Sequence, residues 1–224
     1  MIGAEAGKSY AYLVGVYLGD GCVTLQAGKP VFRLNTIDAD FAEATRAALA
    51  DLGCRASVSS HAVSKSSKLN HSLSCCNQTI CERLIADTDA KKTLPKFSDD
   101  LLNKAMIVGI MDSEGFVAKK TGQDTGRSYY MGYKSCDAWV PDLISLMQSV
   151  GLKIGKAAKE PPYKPGYKEP TRFSIKMQSW VDSGMRFNIK RKQERVDLWA
   201  RTEPYSERSL YPRKLTPETI CQKP

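Results

Sequence analysis

Two carboxylates, Asp20 and Glu114, stand at the same place in a phrase that the chain uses twice. Residues 13–21 read Leu-Val-Gly-Val-Tyr-Leu-Gly-Asp-Gly, and residues 107–115 read Ile-Val-Gly-Ile-Met-Asp-Ser-Glu-Gly. In both, an apolar helical run carries glycine in third place, a small residue in seventh, the carboxylate in eighth and glycine in ninth. Gly109, Glu114 and Gly115 lie 94 residues after Gly15, Asp20 and Gly21, respectively. A carboxylate just past a helix C-terminus meets the partial negative charge of that end, and a second carboxylate nearby adds repulsion. A cation offsets both. Mg²⁺, held through carboxylates, waters and phosphate oxygens, is the natural one. Beside a phosphodiester, such a site activates a water and stabilises the leaving oxygen.

The elements that must position this pair are legible around it. Gly15 with Gly19, and Gly109 with Ser113, share one helical face, and small side chains let two helix backbones approach closely. Packing along that face brings Asp20 and Glu114 out together at its end, with Gly21 and Gly115 expected in the C-terminal turns. Leu52-Gly53-Cys54-Arg55 is answered by Val150-Gly151-Leu152-Lys153, 98 residues on. The change of offset from 94 to 98 fits a short insertion near residues 121–126. A repeat this long is not a solenoid unit but two compact halves, read as residues 1–98 and 99–200, followed by a polar tail over 201–224. Apolar periodicity and turn residues predict the first half as helix 10–19, strands 22–26 and 31–36, helix 41–52 capped by Asp40, a hairpin within 55–76 and a helix to 86. The second half repeats the order with helix 102–113, strands 116–120 and 128–134, helix 140–150, a hairpin with its tip at 160–170, and helices 180–187 and 192–200. The fold class is α+β, with four antiparallel strands per half.

Composition narrows the chemistry. Among 224 residues, 33 Lys+Arg against 24 Asp+Glu give a net charge of +9 and a pI near 9.2, which favours a polyanionic partner. Two histidines and seven cysteines without Cys-x-x-Cys spacing leave no zinc or histidine-dependent nuclease signature. Any nucleolytic chemistry must rest on carboxylates. No apolar run reaches the roughly 20 residues that cross a bilayer, and the first residues lack a secretory pattern. The expectation is a soluble intracellular protein with reduced thiols, found with DNA in a prokaryotic or virus-infected cytoplasm or an organelle.

The two phrases resemble, position for position, the paired motifs of single-chain LAGLIDADG homing endonucleases, and the repeat carries the resemblance to about residue 200. The resemblance implies a pseudo-twofold αββαββα protein whose two sheets form a saddle over the DNA major groove, cutting a long asymmetric site as a monomer. It makes Asp20 and Glu114 the metal-binding carboxylates, with the backbone carbonyls of Gly19 and Ser113 as further ligands. Mg²⁺ is then the cofactor, with Mn²⁺ as a substitute and Ca²⁺ expected to bind without supporting cleavage. It also implies a lysine in each half near the reacting phosphate: Lys92 in Lys-Lys-Thr-Leu-Pro and Lys190 in Ile-Lys-Arg-Lys. A compact ammonium stabilises charge developing there.

Strand alternation nominates the DNA-reading side chains. With Val23, Leu25, Phe32 and Leu34 assigned to the core, Thr24, Gln26, Arg33 and Asn35 face outward. Val58 sets Ser57, Ser59 and His61 outward, opposite Asn70, Ser72 and Ser74. The second half offers Lys120, Tyr130, Lys134, Arg172, Ser174 and Lys176. Arg, Lys, Asn and Gln are the residues that read base edges in the major groove. Two sheets, each following about one 10-base-pair turn, predict a duplex site of about twenty base pairs. Two other readings compete: an intron RNA maturase or a DNA-binding regulator on the same fold without cleavage, and a basic ribosome-associated protein. The last accounts for the charge but not for the paired phrase.

Overall fold

The computed structural model describes residues 4–62, 69–119 and 129–202. In chain order the elements are α1 (Ala4–Leu18), β1 (Cys22–Gln26), β2 (Lys29–Thr36), α2 (Ala39–Asp51), β3 (Ser57–Ala62), β4 (Leu69–Cys75) and α3 (Gln78–Asp87). Then follow α4 (Asp100–Ser113), β5 (Gly115–Lys119), β6 (Tyr129–Ser135), α5 (Val140–Ser149), β7 (Ala158–Lys159), β8 (Thr171–Ile175), α6 (Met177–Asp182) and α7 (Lys190–Thr202). The described residues form two four-stranded antiparallel sheets of the same topology, β1-β2-β4-β3 and β5-β6-β8-β7. The predicted α+β class and the helix–hairpin–helix–hairpin order are both observed.

One face of each sheet is covered by helices. Phe32, Leu34, Leu73 and Cys75 are buried on the first sheet, and Met131, Tyr133, Phe173 and Ile175 on the second. They join α1 and α4 in one continuous apolar core, with Leu13, Val16, Met106, Ile107, Ile110 and Met111 fully buried. Helices apolar on nearly every side belong at the centre of such a core rather than at its surface.

Local chemistry explains most boundaries. Asn77 caps α3 by accepting the Ile80 N–H at 3.0 Å. Gly53 and Gly151, at φ 72° and 92°, end α2 and α5 in the left-handed conformation that glycine adopts most readily. Three predictions need correction. Asp38, not Asp40, occupies the N-cap position of α2; both acids instead meet the start of α7. The helix predicted over 180–187 is α6 and stops at Asp182, because Gly184 turns the chain at φ 73°. Leu25, assigned to the core, is 77% exposed. It lies on an edge strand whose β1–β2 turn projects past the helices, so residues 24–29 are all exposed.

Candidate metal-dependent nuclease site

The signature helices α1 and α4 pack on each other through their small residues. A methyl group placed on Gly15 would overlap the Met106 carbonyl and lie 2.8 Å from the Ile110 nitrogen. One placed on Gly109 would overlap the Tyr12 carbonyl and lie 3.0 Å from the Val16 nitrogen. The obstacles are backbone atoms, so only glycine fits this crossing. Gly19 faces Ser113 in the same way at the C-terminal end, where an added Cβ would also sit 3.5 Å from the Glu114 Cγ. Gly21 and Gly115 are needed for space rather than for a left-handed turn, since neither has a positive φ. A Cβ at Gly21 would meet the Phe32 ring at 2.9 Å, and one at Gly115 would meet the backbone of Met111.

Asp20 and Glu114 therefore leave adjacent helix ends. Their side chains reach solvent, yet the crowded surroundings disfavour charge. Burial raises the Asp20 pKa, against the opposing pull of Lys192 and Lys91. Burial also raises that of Glu114, and the charges of Asp20 and Asp137 push it further. Neither helix has a basic residue in its last turn. Lysines from elsewhere supply the missing positive charge. Lys91 Nζ donates to the Gly19 carbonyl at 2.9 Å and lies 5.2 Å from the Tyr17 ring centroid. Lys192 Nζ donates to the carbonyls of Met111 at 2.8 Å and Asp112 at 2.6 Å. Lys192 is only 3% exposed, and burial depresses its pKa to about 8.

The lysines at the carboxylates are thus Lys91 and Lys192, while the two predicted from sequence point away. Lys92 is a surface side chain 3.9 Å from Asp89, and Lys190 is a surface side chain 3.9 Å from Glu194. Asp89, Ala90 and Lys91 take consecutive positive φ values of 42°, 51° and 72°. That non-glycine left-handed run turns Lys91 inward. In α7, Lys192 shares a face with buried Val196 and Trp199, and Lys190 lies off that face. Asp112, also overlooked in the sequence, is 1% exposed. It accepts hydrogen bonds from Tyr12 Oη (3.1 Å) and Asn188 Nδ2 (3.0 Å), locking α4 to α1 and to the chain before α7. Its place inside the second phrase was the available signal.

The donors here are all oxygens. Two carboxyls held in a crowded, mutually repulsive setting fit a hard divalent cation, whose binding relieves that repulsion. Among the described residues no three His, Cys, Asp or Glu side chains form a metal cluster. Such a cation would complete its shell with waters and phosphate, as Mg²⁺ commonly does. Of the predicted backbone ligands, the Gly19 carbonyl uses one of its two lone pairs for Lys91. Ser113 turns its hydroxyl back to the Gly109 carbonyl at 3.1 Å.

The sheet faces opposite the helices carry the predicted reading residues in register. Arg33 lies opposite Ser74, Asn35 opposite Ser72, Ser57 opposite Ser74, Ser59 opposite Ser72 and His61 opposite Asn70. Gln26 accepts from Arg33 Nη2 at 2.7 Å, and Asn35 Oδ1 accepts from Ser72 at 2.6 Å. Thr24 is exposed on β1. In the second sheet Lys134 lies opposite Arg172, and Ser174 opposite Gly132, with Tyr130 two residues before Gly132. Lys176 follows β8 at the N-cap of α6. Lys120 lies outside the described residues, as does most of the 201–224 tail.

Residues 8–89 match the model of the LAGLIDADG-like domain. No curated protein matches the chain. Among solved structures, I-DmoI in complex with DNA and Mn aligns with a TM-score of 0.50 at 11% identity, over 79% of this chain and 94% of that one. The homing endonuclease I-WcaI bound to its DNA recognition sequence gives 0.55 at 9% identity, over 84% and 86%. Full-length DUF199/WhiA from Thermatoga maritima gives 0.54 at 10% identity, over 96% and 65%. At these identities the likeness is one of fold. Residues 8–89 thus carry the match to the LAGLIDADG-like domain, and the fold across both halves is shared with these solved proteins.

Proposed function

We propose that this protein is a site-specific double-strand DNA endonuclease that hydrolyses phosphodiester bonds with a divalent cation held by Asp20 and Glu114. One observation carries the reading. Two carboxylates leave adjacent helix ends in matched register, and each of those helix ends carries a lysine ammonium. A bound Mg²⁺ would supply Lewis acidity and a water of lowered pKa. The chain's own residues do the rest. Asp20 and Glu114 fix the cation's place, and the Gly15–Gly109 crossing fixes their separation. Lys91 and Lys192 offset negative charge at the two helix ends, where it would otherwise oppose an incoming phosphate. The polar faces of the two sheets engage base edges and backbone of a duplex of about twenty base pairs. Two phrases in one chain supply both carboxylates, so a monomer suffices. I-DmoI and I-WcaI, which share the fold, have been solved with DNA, and I-DmoI with Mn or Ca as well.

The test begins without knowledge of the target. A randomised duplex library is selected on the protein in Ca²⁺, and recovered duplexes are then incubated in Mg²⁺. A double-strand break within the selected sequence supports the reading. Selective retention without a break would replace it with the non-cleaving regulator. Preference for structured RNA over duplex would replace it with the maturase.

A further inference from the structure

Glu160 is an acidic residue just past the edge strand β7, set against the basic residues of the second sheet's polar face. Its backbone N–H donates to the Pro170 carbonyl at 2.9 Å, which pins it at the base of the β7–β8 tip. One carboxylate oxygen takes Lys134 Nζ at 2.7 Å, and the other takes Arg172 Nη1 at 3.0 Å. Those hydrogen bonds, Lys134's first, hold the Glu160 carboxyl below the usual carboxylate range. Arg172 is held from further directions too. Its Nη2 donates to Tyr130 Oη at 3.3 Å, and its guanidinium lies 5.2 Å from the Phe116 ring centroid and 5.9 Å from that of Tyr130. Phe116 and Tyr130 brace each other edge to face at 5.7 Å.

This arrangement has a cost and a use. Phosphate contacts are the sequence-independent part of duplex binding, and basic side chains make them. Glu160 withdraws two of this face's basic groups from that role and repels phosphate itself. An accessory that only had to bind DNA would not carry it. A guanidinium has five N–H donors in a fixed fork. Glu160 and Tyr130 each use one, on different terminal nitrogens; each of those nitrogens carries a second N–H, and a bidentate contact to guanine O6 and N7 draws on such a pair. The fork is held before DNA arrives, so less side-chain entropy is lost on reading a base.

We infer that Glu160 is a specificity-determining residue, holding Arg172 for guanine and restraining Lys134 and Arg172 from indiscriminate phosphate binding. It presupposes that this chain binds duplex DNA. Neither the repeated phrase nor the family match assigns Glu160 a role.

The test compares wild type with Glu160→Gln, which keeps size and one acceptor but removes the charge, and with Arg172→Ala. Two readouts are taken in Ca²⁺: affinity for mixed-sequence genomic duplex at about 0.1 M salt, where charge contacts are only partly screened, and base preferences from a randomised duplex library. Wild type and Glu160→Gln should melt alike, since the exchange lies on the partly exposed sheet face. Glu160→Gln should bind mixed duplex about tenfold more tightly, one neutralising charge being removed beside two basic groups. It should also lose a guanine preference at the same position that Arg172→Ala loses. Unchanged mixed-duplex affinity, or an intact guanine preference in Glu160→Gln, overturns the role while leaving DNA binding in place. If wild type itself retains no duplex at low salt, DNA binding fails and the role of Glu160 fails with it.

Discussion

Replacing Gly15 by alanine isolates the helix crossing on which the site's geometry depends. Alanine gains helix propensity over glycine, about 0.5–1 kcal/mol in a helix interior. Against that, the new methyl overlaps the Met106 carbonyl and crowds the Ile110 nitrogen at 2.8 Å and the Gly109 Cα at 3.0 Å. None of these atoms can rotate away. Ordinary separations of about 3.5–4.0 Å then require α1 and α4 to move apart by on the order of 1 Å. That loosens packing at Val16, Met106 and Ile110, which are fully buried. Overpacking of this kind costs about 1–3 kcal/mol, and a backbone obstacle puts Gly15→Ala at the upper end. Gly7→Ala is the matched control in the same helix. Its methyl meets only the flexible end of Leu102 at 3.4 Å, so it keeps the propensity gain without the clash. The two variants should differ by about 3 kcal/mol, or about 6–12 °C in melting temperature for a chain of this size. Differential scanning calorimetry reads this directly. A Gly15→Ala protein melting within about 2 °C of Gly7→Ala, a gap worth only about 1 kcal/mol, would refute a close-packed crossing.

The buried ammonium of Lys192 predicts a pH effect of definite sign. Its pKa falls from 10.5 to about 8 on folding, so between those values the unfolded chain binds more protons and stability rises with pH. The wild type minus Lys192→Met difference in urea-derived stability should grow by about 2 kcal/mol from pH 8 to 9.5, at 1.36 kcal/mol per pH unit. A flat difference would show that Lys192 is not buried as a charge. Comparing the two proteins cancels the opposite trend of the buried tyrosines Tyr10, Tyr12 and Tyr133, whose pKa values burial raises. DNA affinity should fall by about 10³-fold or more between 50 and 200 mM salt, as expected for six or more phosphate contacts, with one chain per duplex in sedimentation. Salt-insensitive binding, or two chains per duplex, would contradict the proposed monomeric mode of DNA binding.

The fold was largely legible because its signals are local. Apolar runs, turn glycines and strand alternation act within a few residues, and the repeated phrase supplied a second reading of each. The helix crossing was legible too, since small residues four apart have few other uses in an apolar helix. What escaped depends on long-range packing or on uncommon backbone. Choosing Lys91 over Lys92 required knowing that Asp89, Ala90 and Lys91 run left-handed without glycine. Lys192 over Lys190 depended on where α7 begins, and that start is fixed by Asp38 and Asp40, which lie 153 and 150 residues before their partners in the chain. Leu25 looked like core by alternation, but an edge strand's outer end has no helix beneath it. Glu160 was invisible as a functional residue because its partners Lys134 and Arg172 meet only across the β6–β8 register.

The most direct test of the account replaces one carboxylate at a time without changing its shape. Asp20→Asn and Glu114→Gln should fold and melt like wild type or slightly better, since each removes a charge that its crowded surroundings disfavour. Both should retain the duplex recovered by selection. Mixed with that duplex in Mg²⁺, each should fail to produce the double-strand break proposed for wild type, with cleavage rates down by at least about 10³-fold, the order expected when a metal's carboxylate ligand is lost. Cutting at near the wild-type rate by either variant would show that the Asp20–Glu114 pair is not the catalytic centre.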